Sequence, residues 1–306
     1  MPAPDILRTF NSLEPNRLRT GPAPAWTPLD LAPYVSPDAT GVLFHIIPGG
    51  GWSFSALRKP QAAGIFQVQN LAGHHVYGIV GLGGVSGLEI DVYAQAGDDC
   101  QLWLLGYFNR NVVFLDDCPS YQAPNNGLWT TFDLPAAALS AQAGIFLVGA
   151  RESSAWGWGI RAFGSTDDHY GWGWGTYTIV KINAGKIDLL AQNMSPADET
   201  ITTLVGYVNA GGLFSNDSPL FNPPATSTWT NKETAAPPSN PSLAILQWKS
   251  SAAPTTYGAR KRDGDHAWIS TAHSNTWALA HPGQANIIDL YRQKAQDNFY
   301  LHGLLF

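Results

Sequence analysis

The chain has 306 residues with a net charge of −6, and 13% of them are charged against 44% that are hydrophobic. The acidic balance excludes the basic footprint a nucleic-acid partner requires, and no apolar run reaches the ~20 residues of a helical membrane span. Low charge with 31 glycines and 22 prolines suits small β-domains that meet other protein surfaces, because interface cores are poor in charge.

Residues 1–25 carry Pro2, Pro4, Pro15, Pro22 and Pro24 beside Arg8, Arg17 and Arg19. Proline at this density breaks any long helix and keeps neighbouring residues extended. The stretch reads as an extended N-terminal arm reaching over a neighbouring subunit, or as a disordered tail. It shows no charged, apolar and small-residue succession of a secretory signal, so synthesis and first residence in the cytoplasm are expected.

From residue 26 one theme recurs three times, roughly a hundred residues apart, which marks duplicated units. Each copy opens on Trp-Thr: Trp26-Thr27, Trp129-Thr130 and Trp229-Thr230. An apolar run follows at 42–44, 145–147 and 244–246, then an arginine: Arg58, Arg161 or Arg260. A further apolar run occupies 76–81, 176–180 and 275–280. An aspartate with a glutamine four positions on closes the unit as Asp91/Gln95, Asp188/Gln192 and Asp289/Gln293. Last come WLLGYF, TLVGYV and YLHGLL, around Gly106, Gly206 and Gly303. The expected division is 26–124, 125–225 and 226–306, with stiff proline-bearing connectors.

The strand signal is period two. Leu88, Ile90 and Val92 alternate with Glu89, Asp91 and Tyr93, which sets one face on a core. Turn clusters of Gly, Asn, Asp and Pro separate the runs at strand spacing. The expected class is all-β: three tandem β-sandwich domains, jelly-roll-like. A helical turn or two is allowed only at 135–143 and 287–297. Cys100 and Cys118 face each other if 101–108 and 112–115 form a hairpin; in a cytoplasmic product two reduced thiols are the favoured state.

Candidate chemistry is sparse. The glycine-rich 78–87 stretch breaks the phosphate-loop spacing at Ser86 and reads as a hairpin turn. His74-His75 and the Asp-Asp pairs lack metal-ligand spacing, so no metal and no cofactor are expected; Asp167-Asp168 is where a calcium site would be sought. Asp91, Asp188 and Asp289, kept in triplicate, read as structural partners of Arg58, Arg161 and Arg260. The segment 155–175 is the most function-like. Trp156, Trp158, Trp172 and Trp174 alternate with glycine around a loop holding Asp167, Asp168, His169 and Tyr170. Such aromatics stack on sugars or serve as packing surface.

WTPLDL (26–31), RAFGSTDD (161–168), NTWAL (275–279), WLLGYF (103–108) and TLVGYV (203–208) resemble a repeat module of tailed-bacteriophage virion proteins, over residues 26–306. The first copy lacks the G-S-T-D-D turn, and the third departs at both its start and its end. The resemblance implies a structural particle protein, of decoration, head-fibre or tail-fibre type, and brings no catalytic residues. The expected partners are other virion proteins (capsid or tail subunits) and further copies of the chain as a trimer or dimer. A host-surface glycan is the alternative partner. The expected location is the virion.

Overall fold

The computed structural model describes residues 9–306 apart from 21–22, 50–51, 63–66, 72–73, 96–99, 150–156, 170, 173–174, 193–200, 235–240, 251–254, 263–268, 273–274 and 283–285. Alternation along the chain decides its sheets. In Glu89–Ala94, the side chains of Ile90, Val92 and Ala94 are buried and those between them half-exposed, and Gln101–Phe108 alternates in the same way.

The first unit has eight strands: β1 (Phe10–Thr20), β2 (Ala23–Asp30), β3 (Gly41–Ile47), β4 (Trp52–Arg58), β5 (Gln67–Leu71), β6 (Val76–Gly81), β7 (Glu89–Ala94) and β8 (Gln101–Phe108). They form two antiparallel sheets in the orders β1-β8-β3-β6 and β2-β7-β4-β5. This interleaved order is the eight-stranded jelly roll of two Greek keys.

The second unit repeats it with β9 (Val112–Phe114), β10 (Ser120–Gln122), β11 (Thr130–Asp133), β12 (Ala143–Gly149), β13 (Gly157–Ala162), β14 (Gly171–Trp172), β15 (Thr176–Lys181), β16 (Lys186–Gln192) and β17 (Ile201–Val208). Its orders are β10-β17-β12-β15, with β9 also on β17, and β11-β16-β13-β14. The third has β18 (Gly212–Phe214), β19 (Thr230–Glu233), β20 (Leu243–Lys249), β21 (Thr255–Lys261), β22 (Ser270–Ala272), β23 (Asn275–Ala280), β24 (Ile287–Arg292) and β25 (Asn298–Leu305). These pair as β18-β25-β20-β23 and β19-β24-β21-β22.

Strand pairing starts each unit one strand before its Trp-Thr pair. Residues 10–20 therefore belong to the first sheet, paired with β8, and do not stand apart as an arm. Pro15 is accommodated because β1 is an edge strand whose register shifts between Ser12 and Asn16, where a missing N–H costs nothing. Units two and three break their first strand at the same place, between β9 and β10 and between β18 and the Leu220–Tyr300 bridge. The expected 101–115 hairpin is absent: β8 pairs with β1 and β3, and β9 pairs with β17. Cys100 and Cys118 accordingly sit in different units as reduced thiols. Of the two helical stretches allowed from sequence, Ala136–Ala138 forms one 3-10 turn and 287–292 is strand.

The recurring Gly106, Gly206 and Gly303 have one steric reason. An aromatic ring lies over each: Phe10, Phe114 and Phe214 would come within 2.3, 3.2 and 2.6 Å of an added Cβ.

The three units close into a ring. The edge strands β6, β15 and β23 touch one another around a common axis. At the axis the unit junctions bond alike: Asn109 N–H to Thr9 O (3.0 Å), Asn209 N–H to Asn111 O (2.8 Å) and Phe306 N–H to Gly211 O (2.8 Å). Thr9 N–H donates to Phe306 O, joining the start of the first unit to the end of the third without a covalent link. Each arginine-bearing strand then reaches the first strand of the next unit. Lys59 pairs with Asp116 at 2.6 Å, and Lys261 pairs with Glu14. In between, Ser165 and Thr166 hydrogen-bond Asp217.

Candidate functional site

Two polar constellations stand out, one repeated in every unit and one confined to a single seam. The repeated one begins with register. Arg58 lies opposite Asp91, Arg161 opposite Asp188 and Arg260 opposite Asp289 across neighbouring strands. Their Nε–Oδ2 distances are 2.9, 3.4 and 3.3 Å. The strand on the other side of each aspartate is the one the Trp-Thr pair introduces. Its indole covers the guanidinium, at 4.1 Å for Trp26, 4.1 Å for Trp129 and 4.3 Å for Trp229. Each arginine is thus held between a ring face and a carboxylate.

A desolvated guanidinium over a Trp ring gains up to about 2 kcal/mol, and the ion pair orients it. The Asp188 and Asp289 side chains are only 7% and 4% exposed, so removing the cation would strand a buried charge. By contrast, the Lys186–Asp133 pair has its carboxylate 80% exposed, and such surface pairs contribute roughly 0–1 kcal/mol. Around the stack the copies differ. Trp26 packs on Tyr93 and Trp229 on Tyr291, while the second unit has Leu190 at that position and Trp129 donates its indole N–H to Asp168 at 3.0 Å.

The second constellation is the G-S-T-D-D-H loop after β13. Gly164 takes a left-handed φ of 73°, and Arg161 Nη1 donates to Asp167 O. The loop's outer surface docks on the third unit. Asp167 accepts the Ser218 N–H at 2.6 Å, and Asp217 accepts from Thr166 N–H and the Ser165 and Thr166 hydroxyls, which hold its carboxyl below its usual range. His169 lies on Tyr300 with ring centroids 3.7 Å apart. Gln247 Nε2 and Lys249 Nζ donate to the carbonyls of His169 and Asp168, both at 3.2 Å.

Behind this surface a buried chain runs from Ser218 Oγ to His302 Nδ1 (2.8 Å) and from His302 Nε2 to Gln247 Oε1 (2.9 Å). The amide oxygen accepts only, which assigns the imidazole proton to Nε2 and makes Nδ1 the acceptor of the Ser218 hydroxyl. Burial, with His169 nearby, pushes the His302 pKa down to about 3. His169 is also lowered, first by burial, with Asp167 and Asp168 opposing and Lys249 adding to it.

The 155–175 aromatics are open in sequence to two readings, packing surface or sugar platform, and Trp158 takes the packing role. Trp158 is 0% exposed, inside the core of the second unit, and the neighbouring Gly157 and Gly159 are buried with it, so both faces of β13 are covered. Asp167, Asp168 and His169 are engaged by the third unit. Trp172 forms part of the edge strand β14 opposite Gly157, and Trp156, Tyr170 and Trp174 lie outside the described residues. What alternation missed is that the strand is sandwiched. The seam partners Ser218, Gln247 and His302 carry no linear signal, being brought to the loop only by docking.

Among the described residues no three His, Cys, Asp or Glu side chains are grouped as a metal would need. The His74-His75 pair belongs to an aromatic cluster. His75 packs on His45 and His45 stacks on Tyr77, each at 5.0 Å, and burial together with His74 lowers the His75 pKa to about 4.

No family model and no curated protein matches the chain. A chain of the X-ray structure of the entire lipid-containing bacteriophage PM2 aligns over 92% of this chain and 87% of its own, at 10% identity and a TM-score of 0.15.

Arg161→Leu leaves the Asp188 carboxylate buried without its cation, and we expect a loss of ~3–5 kcal/mol in denaturant unfolding, against under ~1 kcal/mol for Lys186→Met; equal losses would deny the stack its role. The seam histidine gives a pH dependence of defined sign. Its folded pKa is depressed, so below the ordinary histidine value near 6.5 the unfolded chain binds the extra proton. Stability should fall by up to roughly 1.4 kcal/mol per pH unit from pH 6.5 downward, levelling near the folded value of about 3. In His302→Gln that slope should flatten in pH-dependent unfolding.

Proposed function

We propose that the chain is a non-enzymatic structural protein of a tailed-bacteriophage particle, exposed on its surface and acting by docking onto capsid or tail subunits as a preformed threefold ring. The observation that carries this reading is the closed ring of three jelly rolls within one chain. Jelly rolls serve both shells and lectins, so the fold alone does not choose. The ring favours a shell or tail role because it presents three equivalent outer faces at fixed angles, which suits a site of threefold or sixfold symmetry. The recurring charged groups support it too, since they are used on one another in the Trp–Arg–Asp stacks.

Imaging of particles made in the host whose infection expresses this chain tests the proposal. We expect ring-shaped density, traceable as three jelly rolls, at a threefold or sixfold position of the shell or tail. Finding the chain only among unassembled proteins of the lysate, and on no particle, would refute it.

A further inference from the structure

The three seams of the ring are built from the same strands but are not filled alike. Between the first and second units the Phe114 ring is the plug. A Cβ added to Gly41 would come within 2.1 Å of the ring and one added to Gly81 within 2.9 Å of it, so both glycines admit a ring from the next unit. Strand register maps Gly41 onto Leu243 and Gly81 onto His281. Phe114 maps onto Ser12, each being the third residue of its unit's first strand. At the closing seam the ring is therefore missing. Ser12 bonds His281 Nε2 at 3.1 Å instead, and His281 Nδ1 lies 3.0 Å from Ser242 O.

A cavity of about 90 Å³ remains there. Its walls are Phe10, Leu43, Leu105, Leu243 and Leu279, and Ala259 closes one side. At the rim sits the Lys261–Glu14 pair, with the Glu14 side chain 77% exposed and Lys261 39% exposed. An exposed pair of this kind contributes little and exchanges partners readily.

We propose that this cavity binds a short alkyl chain ending in a carboxylate. The hydrocarbon lies against Leu43, Leu243 and Leu279, beside the Leu243 and His281 side chains that stand where the first seam has glycines, and the carboxylate replaces Glu14 at Lys261. A cavity of ~150 Å³ accepts the six carbons of benzene, so the smaller space here takes about three to four carbons. The inference stands apart from the particle role, since it concerns a seam within one chain.

Calorimetric titration of the full chain with propanoate, butanoate and hexanoate, and with 1-butanol, tests it. Binding should tighten about fourfold per methylene up to butanoate and then level. Butanoate should outbind butanol, and Lys261→Met should abolish that preference. Ala259→Phe, or Ser12→Phe if the former does not fold, should abolish binding of both. Absence of binding at millimolar concentrations, equal binding of butanol and butanoate, or binding that survives both filling variants would each overturn the proposal.

Discussion

Each jelly roll has two edges in its first sheet, and the fold turns on how one edge of each, β6, β15 and β23, is covered. An exposed strand edge invites pairing with other chains. Here β6, β15 and β23 cover one another around a shared axis. The consequence is visible in their sequences: all six residues of β6 are buried, as are Thr176–Val180 of β15, so these strands read as unbroken apolar runs. Tyr77 of the first unit meets the Leu279 backbone of the third across this axis, and burial drives its phenol pKa upward. A unit taken alone would expose these surfaces to water.

Within each unit the Trp–Arg–Asp stack ties three adjacent strands of the outer sheet together and is repeated for that structural reason. Between units the contacts have diverged. Two seams keep a lysine–carboxylate pair, and the middle one replaces it with the G-S-T-D-D-H loop and its buried Ser218–His302–Gln247 chain. Divergence at the seams with constancy inside the units is what copies of one fold show once each interface has a different neighbour. The seam between the second and third units is the most polar; the third and first units meet around a cavity.

Much of this was legible in the sequence. Period-two alternation marked β7, and the triplicate Arg and Asp positions marked pairs that the register places opposite one another. Unit limits were one strand off, because the Trp-Thr pair marks the second strand and the first is broken by a bulge in every copy. In the aromatic segment, alternating Trp and Gly allowed a packing surface or a sugar platform, and Trp158 fills the core of a strand covered on both sides. Ring closure had no local signal, since it depends on Thr9 and Phe306 meeting from opposite ends of the chain.

If three sheet edges sealed against one another define the molecule, the Thr9–Phe306 junction is only one of three equivalent places to open it. Removing residues 1–8, joining Phe306 to Thr9 through a single residue and opening the chain at Arg110 should yield a protein with the native circular dichroism spectrum and a cooperative thermal transition close to the original. A permuted chain that fails to fold, or melts in independent steps, would contradict the closed ring.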